Sequence, residues 1–158
     1  MNDDRKRVPL ASEYAFALGT VTYCFARCEW DVAWCCDRIQ PGALRRMADE
    51  KLTAGAIAIR FANLIKRMPS SPERRELQAL AGRFTQLVKI RNGILHGKPC
   101  TAPSGEQRLS SGAILEVADL ERAADDFTEC SSGLNSLLHG FLSTFAGLQA
   151  GPNPAGTR

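Results

Sequence analysis

The stretch Arg91-Asn92-Gly93-Ile94-Leu95-His96-Gly97-Lys98-Pro99 holds the residue types needed to cut a phosphodiester. Arginine is a permanent cation whose planar fork grips phosphate. Histidine takes and gives a proton near neutral pH. An amide, Asn92, follows the arginine directly, and Lys89 just before the run and Lys98 near its end are further phosphate-binding charges. A phosphate clamp beside a proton shuttle suits RNA cleavage through the neighbouring 2′-hydroxyl. In that chemistry Arg91 stabilises charge growing on the non-bridging oxygens. His96 moves a proton as base or acid, and Asn92 orients the histidine or holds a phosphate oxygen. No metal or cofactor is needed if arginine supplies the positive charge.

The arginine stands out because of the helix that carries it. Ser71 is suited to cap that helix, Pro72 sits at its first position, and Glu73 and Glu76 favour the positive end of its dipole. Apolar residues then recur at Leu77, Leu80, Ala81, Phe84, Leu87 and Val88, which is helical spacing. Continuing the stripe lands on Arg91 and then on Leu95. A charge buried there without a partner would cost several kcal/mol. Arg91 therefore needs a carboxylate, with Glu29 the candidate, or it lines a cleft where an anion arrives. The plainer reading is structural: a His-Gly pair closes a helix well, Arg91 pairs with an internal acid, and nothing is catalysed.

Side chains five apart on a regular helix diverge by about 140°. Arg91 and His96 would then not converge, whereas Asn92 and His96 would share a face. The two glycines predict a helix that frays or tightens near Gly93 and ends near His96–Gly97, with Pro99 barring continuation.

The run Arg91-Asn92-Gly93-Ile94-Leu95-His96 resembles the signature of the HEPN superfamily (higher eukaryotes and prokaryotes nucleotide-binding domains): an arginine, a polar residue, then a histidine after a total gap of four to six. The gap here is four. Recognisable residues are confined to 91–97, while the helical order over residues 10–146 is similar. The resemblance implies an all-α HEPN-like four-helix bundle, a homodimer, and metal-independent endoribonuclease activity in toxin–antitoxin or phage-defence systems. In the toxin case a cognate antitoxin protein is a partner. Some members only bind nucleotide, RNA or protein without cutting, and these commonly lack the arginine or histidine. One motif holds a single histidine, and a two-fold dimer would supply the second proton carrier.

Around the motif the chain predicts four main helices. The first runs from a Ser12 cap to about Ile39, its apolar residues nearly encircling it from Tyr14 to Phe25. Residues 43–52 form a short helical turn, the second main helix spans Ala54 to Met68, and the third spans 72–96. Pro99 to Gly112 is a long loop with a small hairpin available at Gln107–Leu109 and Ala113–Val117. Asp119 then caps a fourth helix to about Phe145, packed beside the first. Residues 1–9 and 147–158 read as disordered flanks of one helical domain, 10–146.

Composition narrows the classes. A chain of 158 residues is one domain by length. No signal-peptide pattern opens it, and its most apolar run is too short for a bilayer, so a cytoplasmic protein is expected. Six cysteines fit that as thiols. Cys24, Cys28 and Cys35 share a helix, but no histidine or paired knuckle accompanies them, so they read as core rather than as a metal site. From Arg38 to Lys98 thirteen Lys/Arg face four acids, and the flanks are acidic. That asymmetry suggests a face for a polyanion such as RNA. His139, with no arginine or acid beside it, reads as structural.

Overall fold

The computed structural model describes residues 10–148, so the expected arm at 1–9 and most of the expected tail lie outside the described residues. The chain is mostly helical, as an all-α reading expects, with a small sheet added. Helix α1 spans Ser12–Ile39, α2 Ala43–Asp49, α3 Ala54–Lys66, α4 Pro72–Leu95, α5 Val117–His139 and α6 Phe141–Thr144. Strands β1 (Lys98–Thr101), β2 (Gln107–Ser111) and β3 (Ala113–Leu115) lie between α4 and α5.

Helix α1 is the hub, packing along α5 and against α3. Tyr14, Ala17, Val21, Phe25, Cys28, Val32, Cys35 and Ile39 recur every three or four residues and are buried. Phe25 stacks on Phe84 of α4 at 6.2 Å and meets Phe127 of α5 edge-on at 5.3 Å, tying three helices together. The helix is not buried all round, however: Phe16 and Tyr23 stay on the surface. The apolar encirclement read from the sequence is therefore a core face plus an uncovered aromatic face.

Helix boundaries follow their caps. The hydroxyl of Ser71 accepts from the Arg74 N–H at 3.0 Å, as expected for α4. At α1 the cap is Ala11, without a side-chain bond, and Ser12 is already helical. At α5 the cap is Glu116, not Asp119. Glu116 and Asp119 form a reciprocal capping box, with the Glu116 N–H donating to Asp119 at 3.0 Å. The expected fourth helix is also interrupted, because α5 ends at His139 and Gly140 turns the chain into α6. A Cβ at Gly140 would lie 2.8 Å from the Ser136 carbonyl oxygen.

The loop after α4 is more ordered than its composition suggests. The expected hairpin exists as β2–β3, turning at Gly112 with φ of 79°. A further strand, β1, pairs antiparallel with β2, Pro99 opposite Leu109 and Cys100 opposite Arg108. Proline is tolerated because β1 is the sheet edge. Arg108 anchors the sheet: it is buried, bonds Glu106 at 2.6 Å and Glu116 at 3.2 Å, and lies 4.6 Å over the Tyr14 ring. The Tyr14 hydroxyl accepts from the Leu109 N–H at 2.9 Å.

Residues 147 and 148, assigned from sequence to a disordered tail, pack back on the core. The Leu148 N–H donates to the Ile39 carbonyl at 2.6 Å, and Gly147 sits on Pro41. No helix among the described residues is long and apolar enough to cross a membrane.

Candidate functional site

Helix α4 stays α-helical through Gly93 to Leu95. The expected fraying does not occur, and packing gives the reason. A Cβ at Gly93 would lie 2.9 Å from the Ser111 hydroxyl oxygen, and one at Gly97 would lie 3.1 Å from the Leu109 Cβ. Both glycines let β2 lie directly on the end of α4. His96 is the C-cap, its N–H donating to the Asn92 carbonyl at 3.0 Å, and its side chain is exposed.

Arg91 occupies the inward stripe, as its spacing predicts, but it does not disappear into the core. It is half-buried. Its guanidinium lies 5.0 Å from the Phe25 ring centroid, within cation–π range, and its Nη1 donates to Asn92 Oδ1 at 2.9 Å. Its Nε is buried with no hydrogen-bond partner among the described residues. The stripe continues to Ile94, which is buried, and not to Leu95, which is 45% exposed.

A pocket of about 140 Å³ opens beside the guanidinium, lined by Thr22, Phe25, Ala26 and Glu29 of α1 with Arg91, Ile94 and Leu95. Glu29 therefore faces the arginine's site. Burial raises its pKa above the ordinary 4.5, and the nearby Arg91 charge only partly opposes that rise. Among the described residues no carboxylate closes an ion pair with Arg91. The cation is held by a ring and an amide, and Glu29 acts on it only from beyond salt-bridge distance.

The remaining candidates divide. Asn92 and His96 are both exposed, four apart on one side of α4. Lys98 follows on β1 and is exposed. Lys89 does not join them: it lines a separate groove with Ile90, Gly93, Ser111 and Ile114, where Asp119 and Asp126 also sit. Regular helical spacing sets positions 91 and 96 about 140° apart, and α4 keeps that regularity up to Leu95, with His96 as its cap. His139 is exposed at the end of α5.

The basic stretch is partly spent on internal pairs. Arg60 bonds Glu50 at 2.7 Å, and Arg83 bonds both Asp126 at 3.2 Å and Glu129 at 2.5 Å across α4 and α5. The thiols behave as core: Cys28, Cys35, Cys36 and Cys130 are buried. Burial pushes the Cys36 thiol up to about 12 and raises Cys35 as well. No group of three or more metal-ligating side chains occurs among the described residues. Cys130, isolated in sequence, packs against Cys28 and raises its pKa. That adjacency crosses two helices, and no local spacing announces it.

Comparison with protein families, with curated proteins and with solved structures finds no match to this chain.

Proposed function

We propose that this chain is a HEPN-like helical bundle acting as a metal-independent endoribonuclease, of the kind used as a toxin or phage-defence effector. The observation that carries the reading is the state of Arg91. A half-buried guanidinium is fixed by Phe25 and Asn92, at the edge of a pocket, with no carboxylate among the described residues in salt-bridge contact with it. Such a charge is prepared for a phosphate. The exposed His96 stands at the end of the same helix, two residues before the exposed Lys98.

In the proposed reaction the ribose 2′-oxygen bonds to the adjacent phosphorus and the bond to the 5′-oxygen breaks. One base takes the 2′-hydroxyl proton, and one acid delivers a proton to the leaving 5′-oxygen. His96 fills one of these roles. The divergence of positions 91 and 96 and the single histidine of the motif support a reading in which a second copy supplies the other imidazole and the active form is a homodimer. Arg91 steadies the pentacoordinate phosphorane charge, and Asn92 keeps the guanidinium in place. A cognate antitoxin protein would act by covering this face.

The same divergence favours a second reading, a non-catalytic module that uses Arg91 to hold a nucleotide, RNA or protein partner. Incubating single-stranded RNA with the purified chain in EDTA separates the two. Cleavage that is lost in His96→Ala supports the ribonuclease. Arg91-dependent binding without cleavage supports the module.

A further inference from the structure

Helix α1 leaves one face uncovered. Phe16 is 77% exposed, Tyr23 70%, Trp30 56% and Trp34 36%. Their spacings of seven, seven and four place them on a single stripe. Beside them stand the small exposed residues Ala15, Gly19, Thr22 and Ala26. Contiguous exposed apolar surface of this kind marks an interaction site.

We propose that a second copy of this chain lays its α1 antiparallel on this stripe, about a two-fold axis passing between Cys24 and Phe25. The proposal deepens the dimer of the ribonuclease reading and rests on that reading only for what the paired sites do. Its ground is self-complementarity. In this register Tyr23 of each copy faces Ala26 of the other, Trp30 faces Gly19, and Trp34 faces Ala15, so three of the four aromatics meet an exposed small residue. Sliding one helix by a turn sets Tyr23 on Tyr23 in one direction or on Trp30 in the other. An isologous two-fold contact requires this kind of matching between a patch and itself.

Gly19 supplies a second argument. Glycine is the poorest helix former after proline, yet Gly19 lies well inside a 28-residue helix. A Cβ there would meet nothing within 4 Å. Packing within the chain does not need the glycine, whereas an indole from a partner does. Gly82 of α4 is equally open, but its neighbours Ala79, Thr85 and Gln86 carry no large apolar group.

The ends of the helix agree. Antiparallel pairing sets opposite dipole ends together and brings the exposed Arg38 within a turn of the partner's exposed Glu13, an opposite charge. From Ala15 to Trp34 the exposed stripe carries one basic residue, Arg27, which suits a protein partner better than a polyanion. The axis also falls at the level of Thr22 and Ala26, which line the Arg91 pocket. Pairing here sets the two pockets on either side of the two-fold.

Sedimentation of the full chain at micromolar concentration tests this. The wild type is expected to be a dimer. Gly19→Leu, which the monomer accommodates, is expected to weaken dimerisation about tenfold or more while helical circular dichroism is unchanged. Adding Trp30→Ala is expected to restore the dimer, because the new side chain then faces the space vacated on the partner. Trp30 and Trp34 are the chain's two tryptophans, so their emission should shift to the red as the dimer dissociates on dilution. A monomeric wild type overturns the proposal, as does a dimer indifferent to Gly19→Leu. A monomer whose tryptophan emission responds to a single-stranded oligonucleotide or to lipid vesicles would also overturn it. A dimer of this register that cuts no RNA leaves the pairing intact and overturns the ribonuclease reading instead. RNA cleavage by a chain that does not pair through α1 does the reverse.

Discussion

The Arg91 guanidinium lies 5.0 Å from the centre of the Phe25 ring, so the charge at the end of α4 is held by an aromatic face of α1 rather than by an acid. The ring is itself clamped between Phe84 and Phe127. The arginine's position is thus set by the core, while its charge remains available.

That arrangement separates function from stability. Arg91→Met keeps the aliphatic length over Phe25 and removes a buried Nε that has no hydrogen-bond partner. The variant is expected to melt within about 1 kcal/mol of the wild type and to lose RNA cleavage or binding. A structural arginine would instead show a large loss of stability by thermal or urea unfolding.

Glu29 provides a pH signature. Its pKa is raised in the folded protein, chiefly by burial. The neutral form is therefore favoured by folding, and stability is lost as pH rises through the folded pKa. Glu29→Gln is expected to raise the melting temperature at pH 7. The difference from wild type is expected to vanish as pH falls below the ordinary value of 4.5. A variant less stable at pH 7, with the gap closing at low pH, would mean that Arg91 and Glu29 form a stabilising ion pair.

Gly93 is expected to be a packing residue, despite its place inside the motif. Gly93→Ala sets a Cβ against the Ser111 hydroxyl, 2.9 Å away, and should destabilise by about 1–3 kcal/mol. Ser111→Ala removes that oxygen, so the double variant should recover most of the loss. Urea unfolding of the four-member cycle checks this, and additive losses would refute the contact.

Thiol reactivity is expected to split by burial. Cys28, Cys35, Cys36 and Cys130 should resist a thiol reagent in the native protein at pH 8, while the half-buried Cys24 and Cys100 react first. Mass spectrometry of the labelled peptides reads this directly.

Much of the helical layout was legible because periodic apolar stripes leave a local record. The stripe from Leu77 to Val88 located α4 and put Arg91 on its inner side. The sheet was half legible: Gln107 and Ala113 marked a hairpin, but Pro99 hid β1, since proline says nothing of an edge strand that needs no donor. Arg108 was missed because its partners, Glu106, Glu116 and Tyr14, meet only through tertiary packing. Gly97 does lie just past the helix end, as its type suggests, whereas Gly93 signals a break where its small size instead serves contact with Ser111. The uncovered stripe on α1 was read as core, because an interface and a core carry the same apolar pattern.

The central claim is tested most directly by incubating a single-stranded RNA with the wild-type chain in EDTA and identifying the new ends. Cleavage leaving a 2′,3′-cyclic phosphate is expected, with none on DNA of the same sequence and a loss of about 10²–10⁴-fold in rate for His96→Ala. Arg91→Lys should be nearly as impaired as Arg91→Ala, because the planar fork is lost. Cleavage undiminished in a folded His96→Ala variant, or intact RNA throughout, would contradict it.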